Sequence, residues 1–227
     1  MKKDSVASHY KGSEGVNYSK GVRQDTLNHF GFQLQKKPFI PYLKKHMHVL
    51  DFGCGNGSLA KALEPDVETI EGIEVNEYSR NLAINIQKLH VYDSLDSLPD
   101  IKKYNVIISN HVLEHIPDVI NTLKVLRSHL VPDGLFITIL PIDDFRSKRN
   151  KKWRPDDPDH HLHTWTPLLF GNTLSEAGFT PLELKIVTNA WTPRLFFLGD
   201  NFIQKIAGYL LSIYFKRRQL FAVASLN

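Results

Sequence analysis

Cysteine is almost missing from this chain: Cys54 is the single one in 227 residues. That excludes an internal disulfide and a cysteine zinc site, and it suits a reducing, cytoplasmic compartment. Long apolar runs are lacking too. The stretch MKKDSVASHYKGSEG has a basic start with no apolar core behind it, so no secretory signal is expected. There is no internal repeat and no low-complexity tract. Excess charge of one sign is also absent, with 28 Lys plus Arg against 24 Asp plus Glu. A net charge of +4 is too mild to argue for nucleic acid, and no nucleic-acid partner is expected. What remains is 42% apolar and 23% charged residues, enough to bury one sizeable core.

A rhythm begins near residue 48. Short apolar runs at 48–53, 69–75, 90–94, 104–110 and 134–141 alternate with helical patterns at 58–64, 77–89 and 117–130. A helix at 167–177 stops at Gly178, and runs at 179–188 and 218–226 complete seven strands. Apolar strands alternating with amphipathic helices predict an α/β fold: a doubly wound, mostly parallel sheet with helices on both faces. The N-terminal 1–46 reads as a lid and a helical segment, broken before Pro38 and Pro41, ahead of one domain over 47–227. That domain carries a polar loop insertion at 142–164 and an apolar helical insertion at 189–217.

The densest signal is VLDFGCGNG at 49–57. Glycines straight after a buried strand allow a tight turn into a helix and let a ligand approach the main chain. The free N–H groups of the helix start face the same way. The dinucleotide fingerprint is GxGxxG. Here Gly53, Gly55 and Gly57 form GxGxG after Asp51, which weakens the phosphate reading. Glu74 ends the next strand, where an acid can accept from both hydroxyls of a ribose. Asp93 ends the third, where an acid can accept from an adenine amino group.

The set DxGxGxG, Glu74, Asp93 and NVIISNHVLEHIPD (105–118) resembles the class I S-adenosylmethionine (SAM)-dependent methyltransferases, in the subgroup acting on small molecules, quinones and sugars. The resemblance covers roughly 46–188, with a last strand at 218–226 that would run antiparallel in a Rossmann-like seven-stranded sheet. It implies SAM as cofactor and S-adenosylhomocysteine as product. By similarity, Asp51 and the backbone of Gly53 and Gly55, with Cys54 as a small packing residue and Gly57, would hold the amino-acid end. Glu74 with Val75 would hold the ribose, Asp93 with Ser94 the adenine edge, and Asn110 and His111 would lie beside the methionine portion. His115 matches a histidine in the phrase L-E-H-I-P and is a candidate catalytic residue, as it is for packing.

Methyl transfer from a sulfonium needs alignment and exclusion of water, and an oxygen acceptor also needs its proton removed. The loop PIDDFRSKRNKKWRPDDPDHHLHTWTP (141–167) is long, polar and rich in ionisable and aromatic groups, which suits a functional loop. DHHLHTWTP resembles a family phrase in which a histidine precedes an aromatic and a Ser/Thr at a helix start. It makes His161, then His163, the candidate general base or acceptor contact. Trp153, Arg154, His160 and Trp165 are candidate substrate contacts. Binding of a divalent metal by Asp159 and the three histidines is the alternative, but no metal is expected. The basic run 146–154 suits an anionic acceptor, which leans the reading towards O-methylation of a sugar, nucleotide-sugar or glycan. A quinone, lipid-like or RNA acceptor, a catalytically silent SAM-binding module and a nicotinamide-dependent oxidoreductase stay as alternatives.

The insertion around 195–215 carries far more apolar residues than one helix stripe needs, interrupted by Asp200, Asn201, Gln204 and Lys205. A spanning helix is therefore not expected. Burial against the N-terminal helix or a homodimer surface is preferred to peripheral membrane contact, and the chain is read as monomer or homodimer. Tyr10, Tyr18 and the glycines between them suit a lid.

Overall fold

In the computed structural model the described residues are 16, 29–142, 152–154, 157, 159–188, 195, 198–199, 201–215 and 217–226. The expected lid with Tyr10 and Tyr18, and the basic stretch 146–151, lie outside them. Seven strands form one sheet: β1 (His48–Phe52), β2 (Thr69–Ile73), β3 (His90–Tyr92), β4 (Tyr104–Asn110), β5 (Leu130–Pro141), β6 (Thr180–Thr188) and β7 (Arg218–Ser225). Their order is β3-β2-β1-β4-β5-β7-β6. β7 runs antiparallel to both β5 and β6, and the remaining pairs are parallel. This is the doubly wound sheet that the sequence pattern predicts, with the reversed last strand that the family resemblance implies.

Among the described residues, six α-helices accompany the sheet: α1 (His29–Lys36), α2 (Ser58–Leu63), α3 (Glu77–Asn85), α4 (Val119–Ser128), α5 (Pro167–Glu176) and α6 (Phe202–Tyr214). Alternate residues of each strand point to opposite faces, so a parallel strand buried on both faces feeds two cores. Leu50, Phe52, Ile107 and Phe136 pack with Leu123 and Leu126 of α4 and Phe170 and Leu174 of α5. Val49, Val106, Ile108 and Ile137 pack with Leu59, Ala60 and Leu63 of α2 and with Phe39. α1 lies against α2, tied by the Lys36 ammonium to Asp66 at 3.1 Å.

Local chemistry sets the helix ends. Asn76, Asp118, Thr166 and Asn201 each accept the main-chain N–H three residues on, at the starts of α3, α4, α5 and α6. Pro167 occupies the first position of α5, and Gly178, at φ 86°, follows its end. Boundaries differ from expectation in three places. α3 stops at Asn85 rather than near 89, with Lys88 at φ 60° turning the chain into β3. α4 stops at Ser128, and β5 begins at Leu130, pairing with Tyr104 before a register shift. Within the apolar insertion the described α-helix is Phe202–Tyr214, capped by Asn201.

The order reverses between β1 and β4, the place where open α/β sheets take ligands beyond their carboxyl ends. Three things converge there: the glycine turn after β1, the segment after β4 and the loop after β5. Gly57 opens α2 at φ 76°, and a Cβ there would lie 2.6 Å from Leu89 Cδ1 and 3.0 Å from Ala83 Cβ. Gly57→Ala is expected to lower stability by about 1–2 kcal/mol through the left-handed backbone alone. A lower urea midpoint at unchanged slope is the readout.

Candidate functional site

The three loop glycines have different reasons to be glycine. Gly53, Gly55 and Gly57 all sit at positive φ, of 78°, 55° and 76°. A Cβ on Gly53 would stand 2.3 Å from Val112 Cγ2, so packing forbids it. Around Gly55 no described residue comes within 4 Å of the Cβ position. The middle glycine therefore presents bare main chain to open space, as a close ligand approach requires.

The loop is held in place from β2. The N–H groups of Gly53 and Cys54 both donate to the Ile73 carbonyl, at 2.9 and 3.0 Å. The Glu74 carboxylate accepts from Gly55 N–H at 2.9 Å and from Asn76 N–H at 2.7 Å. Arg80 Nη1 donates to the Glu74 and Val75 carbonyls. Burial raises the Glu74 pKa, against the pull of these two N–H groups. Glu74 thus has a structural task beside the ribose contact expected of it.

Asp51 lies directly beneath the loop, 1% exposed, paired in the sheet with Gly72 and Ile108. Its Oδ2 is buried and has no hydrogen-bond partner among the described residues. Burial, then the Glu74 charge, push its pKa up to about 7. An acid so placed is suited to a cationic ligand group. Burial pushes the Cys54 thiol well up, with Asp51 and Glu74 adding to it, so it is a packed, protonated thiol. Its Sγ fills the space a Cβ at Gly72 would need, 2.5 Å away. Asp93 is exposed at the tip of β3. Ser97 first, then Ser94, whose hydroxyl donates to it at 2.9 Å, hold its carboxyl below the usual range.

Across the cleft, Asn110 ends β4 and His111 takes φ 58°, its N–H donating to the Ile139 carbonyl at 2.9 Å. The side-chain amide of Gln219 meets His111 Nε2. One 3₁₀ turn, Leu113–His115, then buries Glu114 completely and His115 almost so. Glu114 Oε1 stands 3.6 Å from His111 Nδ1 and 3.7 Å from His115 Nε2. The later loop is pinned to this turn, because the N–H groups of Leu162 and His163 donate to the Glu114 carbonyl at 2.8 and 3.2 Å. His163 Nε2 donates to the Ile116 carbonyl at 2.9 Å. His161 meets His115 edge-on, with ring centres 5.0 Å apart.

These contacts separate the candidate histidines. Burial above all, then the neighbouring His161, lower the His115 pKa to about 3, so its imidazole is neutral at ordinary pH and a weak base. His163 is engaged with Ile116 and stacks on Trp165, which packs against Phe170. Trp165 is thus part of the core. His161 is half-buried beside His115. His160 is exposed at φ 43°; its N–H donates to Asp157 Oδ2, and its main chain hydrogen-bonds the His115 ring. Trp153 is 88% exposed, and Arg154 pairs with Asp157 at 2.7 Å. The sequence reading did not select Glu114, although it stands beside His115 in LEHIP. With His115 and His161 it forms a carboxylate–imidazole set whose donor atoms lie within 4.8 Å of one another, a composition able to take a divalent metal.

A glycine turn at the switch point, a buried acid beneath it and acids on the next two strand tips define a nucleoside-binding α/β protein. A family described as a methyltransferase domain matches residues 29–184, and the chain belongs to that family, within the class I SAM-dependent methyltransferases. A ubiquinone biosynthesis O-methyltransferase of Coxiella burnetii (strain Dugway 5J108-111) is 29% identical over 97 residues, covering 40% of this chain and 42% of the relative. The chain thus matches about two-fifths of the length of such curated relatives. Among solved structures, the chain resembles the methyltransferase complexed with the Haloferax volcanii activator Trm112 (TM-score 0.65, 15% identity, 97% of this chain and 99% of that one). It also resembles the N-methyltransferase NodS of Bradyrhizobium japonicum WM9 with S-adenosylhomocysteine (TM-score 0.62, 13% identity, 95% and 99%).

The residues present fit the family's cofactor. The orphaned Asp51 Oδ2 matches an ammonium, and the open face at Gly55 admits a ligand against the main chain. Asp51 also yields a two-sided test. Its raised pKa means that the folded, ligand-free protein binds this proton more tightly than the unfolded chain. The stability it contributes is full below about pH 4 and is lost as pH rises towards about 7. Asp51→Asn is therefore expected to raise the ligand-free melting temperature at pH 8 relative to pH 4, by comparison with the unsubstituted protein. The same variant is expected to bind SAM about tenfold more weakly or worse, through loss of one charged contact. Thermal shift and calorimetry check the two halves.

Proposed function

We propose that the chain transfers the methyl group of SAM to a hydroxyl oxygen of a small, ring-bearing acceptor, with His161 as the general base. When bound, SAM supplies a methyl group on a sulfonium sulfur, a leaving group that needs no activation. Asp51 would hold the ammonium of its amino-acid end, Glu74 the ribose hydroxyls and Asp93 the adenine amino group. His161 would take the proton of the acceptor hydroxyl, leaving its oxygen free to accept that methyl group, with the sulfonium sulfur keeping the bonding pair. His115, neutral and buried, positions His161, and Asn110 and His111 border the reacting end.

The observation that carries this reading is the pairing of His161 with His115 on a loop pinned to the Glu114 main chain, at the carboxyl end of the sheet. Oxygen as the methylated atom is supported by relatives named as ubiquinone biosynthesis O-methyltransferases. Those names favour a quinone-type ring over a sugar, and no relative reported above favours a glycan. Trp153 and Arg154 stand exposed, as solvated loop residues do.

The set Glu114, His115 and His161 favours a second form of the same reaction. A divalent cation held there would acidify the acceptor hydroxyl directly, so that His161 acts as ligand rather than base.

His161→Ala is expected to lower kcat by about 10²–10⁴-fold while S-adenosylhomocysteine affinity stays unchanged. Unchanged turnover overturns the role of His161, and cofactor binding without turnover on any hydroxylated ring overturns the enzymatic reading. Loss of turnover on chelation, restored by Mg²⁺ or Mn²⁺, selects the metal form; indifference to chelation selects the base.

A further inference from the structure

Helix α6 is inside out. The stripe it turns to the protein is Gln204, Gly208 and Ser212, spaced four apart and all buried. Its apolar residues face outward: Phe202 is 75% exposed, Ile203 68%, Leu210 60%, Ile213 51% and Tyr214 78%. A helix on a globular protein ordinarily does the reverse. Among the described residues, the apolar face of α6 is therefore not buried as expected. An open apolar groove of about 460 Å³, shared with Leu34, lies beside it. Patches of this kind mark an interaction surface.

Charge decides between occupants. Residues 201–218 contain no Asp or Glu, whereas Lys205, Arg217 and Arg218 are exposed beside the apolar face. In a symmetric dimer seated on this face, the same patch meets itself, so the cations of one copy would meet those of the other with no acid in the segment to pair them. An anionic lipid surface complements both properties at once. It offers an apolar layer for the side chains and headgroup charge for the cations. Thirteen residues span about 20 Å, and no helix among the described residues is long and apolar enough to cross a membrane. Lying flat is what this geometry allows.

We propose that α6 docks the protein in the plane of an anionic lipid bilayer, with Phe202, Ile203, Ile206, Leu210, Ile213 and Tyr214 in the headgroup–acyl boundary and Lys205, Arg217 and Arg218 on the headgroups. This holds whatever acceptor the active site takes. The test is cosedimentation of the full chain with vesicles of phosphatidylcholine alone or mixed with phosphatidylglycerol. Binding to the mixed vesicles that weakens with salt is expected. A double variant, Ile206→Ser with Ile213→Ser, should lower the partition coefficient at least about tenfold. Arg217→Gln with Arg218→Gln should remove the preference for anionic lipid. Both pairs are exposed, and an unchanged melting temperature of each variant confirms its fold. No sedimentation with anionic vesicles overturns the proposal. So does a solution dimer that Ile206→Ser dissociates.

Discussion

One carboxylate holds the cofactor side together. Glu74 takes the main-chain N–H of Gly55 on one oxygen and that of Asn76 on the other. It thereby ties the turn after β1 to the turn after β2, and Asn76 in turn caps α3. Three glycines in a row of five residues would otherwise be the most mobile main chain in the domain. The tie converts that freedom into a fixed concave surface, with the open flank of Gly55 on top and Asp51 beneath. Burial opposes the charge on both acids, and a cationic ligand group relieves the strain on Asp51.

The opposite wall is built differently. Nothing there depends on glycine. The 3₁₀ turn Leu113–His115 buries a carboxylate and an imidazole, and its main chain supplies the carbonyl on which the histidine loop hangs. The loop's own residues divide the work. His163 and Trp165 anchor it to the core, and His161 is left facing His115. Adjacent histidines thus have different chemistry because of what each one touches. An imidazole as deeply buried as His115 is held neutral, and one that donates to a carbonyl, as His163 does, is committed to structure.

Much of this was legible in the sequence. Strand and helix order followed from apolar periodicity, and spacing at strand ends singled out Asp51, the glycines, Glu74 and Asp93 as candidates, because both signals are local. Glu114 was missed because its importance depends on the 3₁₀ turn that buries it between two histidines, and no periodic pattern announces that turn. Ranking the histidines was beyond the sequence for the same reason: His160, His161 and His163 are indistinguishable until their contacts are known. The inverted face of α6 could not be read either. Apolar abundance showed that a second surface was needed, but which side meets the protein depends on the small residues Gly208 and Ser212 fitting against it. Trp165, expected at the substrate, is core because Phe170 lies against it.

The account's central claim is that this tied turn is a preformed seat for an adenosyl amino acid. Calorimetric titration of the purified chain with S-adenosylhomocysteine tests it most directly, alongside Glu74→Ala. The account predicts a saturable, single-site isotherm for the unsubstituted chain and marked weakening in the variant, whose loop has lost its tether. No heat of binding and no thermal shift from the unsubstituted chain would contradict it.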